Sequence, residues 1–146
     1  DRDIVIAVSH SGRVSALDFK TGSRVWGRRI GGTDTPWVAG DFVFLLTNAA
    51  EVIALTRRDG RIKWLTQLRQ FKDPEEREEG IQYTGPVLAG DRLIVSSSLG
   101  ELRAISPYTG QLLGIIDVNA PVFIPPIVAG ATIYVLTDKG RLIAYR

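Results

Sequence analysis

A block that occurs four times limits this chain to a small set of folds. It reads GRVSALDFKTGSRVW at 12–26, AEVIALTRRDGRIKW at 50–64, GELRAISPYTGQLLG at 100–114 and GRLIAYR at 140–146. Its alanines, Ala16, Ala54, Ala104 and Ala144, lie 38, 50 and 40 residues apart. A period near forty residues is that of a repeat architecture, in which one unit cannot bury its apolar face without its neighbours.

A second marker runs in phase with the first. An Ala-Gly pair at 39–40, 89–90 and 129–130 precedes the apolar runs 42–46, 93–95 and 133–136, and 4–8 is the matching run at the start. These runs are short, rich in β-branched and aromatic residues, and bounded by Gly, Asp or Asn, which predicts strands. Each unit parses as four strands. The first is short and ends in Ala-Gly, and the second is the apolar run. The third carries the alanine, and a Thr-Gly or Asp-Gly turn (Thr21-Gly22, Asp59-Gly60, Thr109-Gly110) leads to the fourth. Glycine there accepts the positive φ of a tight hairpin turn. Prolines near the first strands (Pro36, Pro86, Pro125, Pro126) suit a position where no ladder donor is needed.

The second strand is apolar at consecutive positions, as in Ile4-Val5-Ile6-Ala7-Val8. A hairpin with one solvated face would alternate apolar and polar residues. Both faces must therefore be covered, as they are where four-stranded sheets stack around an axis in a β-propeller. The fold class predicted is all-β, a partial propeller of four-stranded antiparallel blades, about three and a half in number. The blades fall at 1–31, 32–68, 81–118 and 119–146, with an insertion at 69–80. Closed propellers have about four to eight blades, so the sequence is expected to be part of a longer one, cut within a blade. Exposed end faces would also allow two copies to complete a ring.

The chain has 146 residues, 45% of them apolar, which supports one sizeable core. The formal net charge is +2 and the basic residues are scattered, so no nucleic-acid partner is expected. No apolar stretch approaches the ~18 residues of a membrane-spanning helix. Cysteine is absent, which removes disulfides and thiolate metal sites.

The pattern Ala16-x-Asp18-x-x-Thr21-Gly22-x-x-x-Trp26 resembles the repeat of the pyrroloquinoline-quinone (PQQ) propeller superfamily. The second unit keeps Ala54, Gly60 and Trp64, with Thr56 and Asp59 at the other two positions. The third keeps Ala104, Thr109 and Gly110 but has Ser106 and Gly114 for the aspartate and the tryptophan. In that repeat the tryptophan packs between blades and caps the turn. Within the superfamily the chain is similar to the C-terminal half of the BamB family, on its closing 140–146 segment, the Thr-Asp-Lys-Gly turn before it, and the order of the 16–26 and 54–60 blocks. That resemblance implies a non-enzymatic scaffold with no cofactor. It implies a place on the periplasmic face of the outer membrane of a Gram-negative bacterium, held there by a lipid outside these residues. The implied partners are BamA-like POTRA domains and other subunits of the outer-membrane β-barrel assembly machinery.

The alternative is a fragment of a PQQ-dependent dehydrogenase, which shares the repeat. Those enzymes use a stacking tryptophan, calcium ligands and a catalytic aspartate, and Trp37 on a first strand is the one candidate for stacking, with a core aromatic as the plainer reading. Asp18, Asp41, Asp59, Asp91 and Asp138 all fall in turns, where bonding to their own backbone explains them. His10, the only histidine, reads as a turn residue. No catalytic or metal-ligating residue is assigned.

The insertion RQFKDPEEREEG at 69–80 departs from the repeat. Asp73 as cap, Pro74 at the first helical position, Glu76 at the third and Gly80 as terminator predict a short helical excursion. Insertions on one face of a repeat array often carry binding. The candidate partner-binding residues are Arg69, Phe71, Lys72, Glu75, Glu76 and Arg77, and the plainer reading of the same charge run is a solvated loop.

Overall fold

The computed structural model describes residues 3–146. Among them every regular element is a strand. The first sheet pairs β1 (Ile4–Ser9), β2 (Arg13–Asp18) and β3 (Arg24–Arg28). The second contains β4 (Trp37–Ala39), β5 (Phe42–Leu46), β6 (Glu51–Thr56) and β7 (Ile62–Gln67). A two-stranded hairpin, β8 (Phe71–Asp73) and β9 (Glu78–Gly80), follows. The third sheet contains β10 (Tyr83–Ala89), β11 (Arg92–Ser97), β12 (Glu101–Ile105) and β13 (Leu112–Asp117). The fourth contains β14 (Ile127–Ala129), β15 (Thr132–Leu136) and β16 (Leu142–Tyr145). Strand order within each sheet is sequence order and every pairing is antiparallel, as in propeller blades.

Alternation along the middle strands binds one sheet to the next. On β5, Val43 and Leu45 turn toward the first sheet and pack with Val14, Ala16 and Trp26. Phe44 and Leu46 turn the other way and pack with Leu93 and Val95 of the third sheet. On β11, Ile94 faces Val122 and Val135 beside the fourth sheet. A period of two with both faces apolar thus places each interior strand in two cores at once. The end sheets have one uncovered side, where Val5 is 43% and Leu142 66% exposed.

A second tie runs along the outer strands. Trp26 of β3 donates its indole N–H to the Arg57 carbonyl at 2.8 Å, and Arg28 donates to the carbonyls of Gly60 and Asp59, each at 2.9 Å. Trp64 of β7 donates to the Pro107 carbonyl at 2.9 Å, and Thr66 to the Gly110 carbonyl at 2.5 Å. Each tryptophan therefore covers the turn of the following sheet. That turn needs glycine twice over. Gly60 and Gly110 have φ of 69° and 77°, and a Cβ on either would lie 2.6 Å from Trp26 Cδ2 or 2.8 Å from Trp64 Cδ2. Gly114 stands where the third tryptophan would be, and the described residues bring no Thr-Gly turn from the fourth sheet to meet it.

The turns are held by their own carboxylates. Asp18 Oδ1 accepts the backbone N–H of Thr21 at 2.8 Å and of Lys20 at 2.9 Å. Asp59 Oδ1 accepts the Thr56 hydroxyl and the Arg61 N–H, the latter at 3.2 Å. The Thr21 bonds hold the Asp18 carboxyl below its usual range, and the Thr56 hydroxyl does the same for Asp59.

Three sequence expectations are corrected. Residues 69–80 form a hairpin, with Phe71 opposite Gly80 and Asp73 opposite Glu78. Asp73 Oδ1 does accept the N–H groups of Glu75 at 3.0 Å and Glu76 at 3.2 Å, but it closes a turn where a helix was expected. The left-handed residues are Arg77 and Glu79, at φ 54° and 53°, and Gly80 is not among the positive-φ glycines. Pro86 lies inside β10 at the register break between Thr84 and Val87, where the ladder asks it for no donor. Trp37 is 36% exposed on the short strand β4 and is not a core residue.

Two outcomes follow from this packing. Replacing Trp26 by alanine should cost about 3–5 kcal/mol in urea unfolding, and replacing the half-exposed Trp37 about 0.5 kcal/mol; equal losses would contradict the seam described. The lowered carboxyl values of Asp18 and Asp59 add stability that is intact above their ordinary value of 3.8 and is lost as pH falls through the lowered values. A variant carrying Asp18→Asn and Asp59→Asn should therefore show a shallower fall of Tm with acidification below about pH 4.

Candidate functional site

Among the described residues the β8–β9 hairpin is the one element outside the repeating sheets, and its position is fixed from below. Gln67 Nε2 donates to the carbonyls of Ala49 at 2.9 Å and Ala50 at 3.2 Å, and Gln70 Nε2 donates to Ala49 at 2.9 Å. The base closes with Ile81 N–H to the Gln70 carbonyl at 2.8 Å. The hairpin therefore rises from the face that carries the β5–β6 turn. Tyr83, at the start of β10, donates its hydroxyl to the Arg69 carbonyl at 2.7 Å. Burial pushes the Tyr83 phenol up, so it keeps its proton and remains a donor.

The candidate residues divide by what they touch. Arg69 folds back on its own hairpin, with Nε donating to the Phe71 carbonyl at 2.8 Å and Nη2 to that of Lys72. Lys72 Nζ pairs with Glu79 Oε2 across the hairpin at 3.0 Å. Phe71 is half-buried. These three build the hairpin. Glu75, Glu76 and Arg77 are exposed at its tip and make no ion pair among the described residues, and Glu78 beside them does likewise. Glu78 lies outside the sequence-based set because strand pairing, not the charge run, decides which side chains reach the tip. Across 71–80 five carboxylates face two cations, against a whole chain of net charge +2. The outer end of the hairpin is an acidic knob on a rigid base.

Beside the hairpin lies a cavity of about 360 Å³. Asp34 reaches it from the segment before β4, Asn48 from the β5–β6 turn, Tyr83 and Thr84 from β10, and Phe123 from the segment before β14. Three sheets thus contribute to one hollow on the hairpin face. No local motif announces it, because its residues lie up to 90 positions apart, from Thr33 to Phe123. The other chemistry-bearing residues of the sequence do not converge on it. His10 is exposed at the β1–β2 turn, where its carbonyl accepts Asn48 Nδ2 at 3.0 Å. Asp41, Asp91 and Asp138 sit in separate turns. Among the described residues no three of His, Asp and Glu come together as a hard-cation site requires.

Comparison with known proteins places this architecture. The family model described as "Outer membrane protein assembly factor BamB" matches residues 1–66 and 70–146. The unmatched positions between these two stretches immediately precede the hairpin. BamB of Salmonella typhimurium is 30% identical over 97% of this chain, and BamB of Alkalilimnicola ehrlichii is 27% identical over 99% of it. The chain spans about a third of the length of these relatives, 34% and 36% respectively. The crystal structure of BamB from Moraxella catarrhalis superposes with a TM-score of 0.76 at 18% identity, covering 98% of this chain and 46% of that one, which shows the shared fold. With its repeat, its sheet order and a family match over nearly all its residues, this chain belongs to the BamB family of outer-membrane protein assembly factors.

Proposed function

We propose that this chain acts by binding alone, as a rigid platform within the outer-membrane β-barrel assembly machinery. The hairpin face is its docking surface. The observation that carries this reading is the division of labour in the hairpin. Arg69, Lys72 and Asp73 satisfy the loop's own backbone and charge, and Glu75, Glu76 and Arg77 are left at the tip. A knob whose frame is internally bonded loses little conformational freedom on binding, which is what makes a preorganised contact favourable. Excess carboxylates there steer a positively charged partner and set its orientation.

The relatives are named as assembly factors, and that supports a scaffold over a dehydrogenase. By this reading the chain works on the periplasmic side of the outer membrane. Its partners there are POTRA domains of a BamA-like subunit, which dock on the hairpin face. The knob accounts for rate and specificity more than for bulk affinity, since rim charges act chiefly on association.

Charge reversal at the tip tests this. Glu75→Lys with Glu76→Lys should slow association with the POTRA domains of the same organism's BamA about tenfold at low salt. The same change should leave Tm within about a degree, because neither side chain bonds within the fold. Unchanged association kinetics would remove the hairpin from the docking surface.

A further inference from the structure

The cavity beside the hairpin combines one carboxylate with polar side chains that the fold engages in part. Several of its donors are engaged within the fold. Asn48 Nδ2 donates to His10, Tyr83 Oη to Arg69, and Thr47 Oγ1 to Glu51 Oε2 at 3.2 Å. The Gly85 N–H donates to Asp34 Oδ2 at 2.7 Å. Two strong acceptors remain open. Asp34 keeps Oδ1 and Asn48 keeps its side-chain carbonyl, neither with a partner among the described residues. Thr84 lines the cavity, is 7% exposed, and its hydroxyl has no partner among the described residues. A buried hydroxyl left so is costly, and a ligand that offers it a hydrogen bond relieves that cost.

The charge points the same way. Asp34 is the only ionisable carboxylate or cation among the lining residues. The rings of Tyr83 and Phe123 border the same hollow, and aromatic faces attract cations. A site with unengaged acceptors, one carboxylate and two aromatic walls fits a guanidinium or ammonium group. Ile81, Gln82 and Tyr83 run directly from the end of β9 into the cavity wall, so the acidic knob and the hollow form one continuous surface.

We infer that this cavity receives a lysine or arginine side chain from an extended, basic segment of a partner protein, with Asp34 as counter-ion and the hairpin carboxylates engaging neighbouring positive charges. The inference rests on the reading that the hairpin face docks a partner. It adds the chemistry of the segment that docks. The length of the surface, hairpin plus cavity, selects a chain of several cations over a single small one.

The test uses the 146-residue chain, isotope-labelled for NMR, and three synthetic ten-residue peptides of one extended sequence with arginine, glutamine or glutamate at alternate positions. The arginine peptide should shift the amide signals of Thr33, Asp34, Asn48 and 82–84. Asp34→Asn keeps an oxygen for the Gly85 N–H and should weaken that peptide about tenfold. Thr84→Val preserves volume in a buried position and should weaken it by a smaller factor without moving Tm downward. Shifts confined to the hairpin, an unaffected Asp34→Asn variant, or equal binding of the glutamate peptide would each overturn the inference. Spermidine that binds as well as the arginine peptide would overturn the choice of a protein segment. If POTRA domains respond to the hairpin substitutions and the peptide ignores the cavity, the docking face stands and the basic-segment site fails. The converse result removes the partner and keeps the site.

Discussion

The structure depends on strands that are apolar on both faces. Strand β5 sends Val43 and Leu45 into one core and Phe44 and Leu46 into another, and β11 divides Leu93, Val95 and Ile94 in the same way. Burial of such side chains is worth about 1.5–3 kcal/mol each, so an interior sheet is stable only when two neighbours cover it. That requirement excludes a single-layer sheet with one wet face and leads to sheets stacked around an axis. Short connections and in-sequence strand order then follow, because each unit has to finish one sheet before starting the next.

Much of this was legible in the sequence, and the reason is periodicity. The apolar runs at 42–46 and 93–95 are strands by composition, and their lack of alternation reports coverage on both sides. At Asp59-Gly60 and Thr109-Gly110 the pair marks a turn because only glycine combines the needed φ with room for the tryptophan above it, and at Thr21-Gly22 the φ alone calls for glycine. What the sequence does not display is which turn each tryptophan meets. Trp26 and Trp64 find theirs 31 and 43 residues away, at Arg57 and Pro107.

The insertion shows the limit of local signals. Asp73, Pro74 and Glu76 have the spacing of a helix start, and Asp73 caps the same N–H groups in a tight turn as it would in a helix. Tertiary bonds decide between the two. Gln67 and Gln70 pin the base to Ala49, Tyr83 holds Arg69, and the ends at Gln70 and Ile81 are bonded to each other. A helix of under eight residues gains few internal bonds, and a closed hairpin satisfies its backbone between those fixed ends. The cavity was illegible for another reason: Thr84 lies on β10, Asp34 and Phe123 lie in the segments that precede β4 and β14, and no spacing rule links them.

The tryptophan seam also gives the assembly a direction. The first seam is stitched by Trp26 and the second by Trp64, whereas at the third Gly114 supplies no ring, and apolar contact among residues such as Ile94, Val122 and Val135 is joined by the Val122 N–H donating to the Ser97 carbonyl at 3.1 Å. In a stack held by nearest-neighbour terms, cooperativity is only as uniform as its interfaces. The seam before the fourth sheet is thus the one without an indole bond, and local opening of this stack is expected there first.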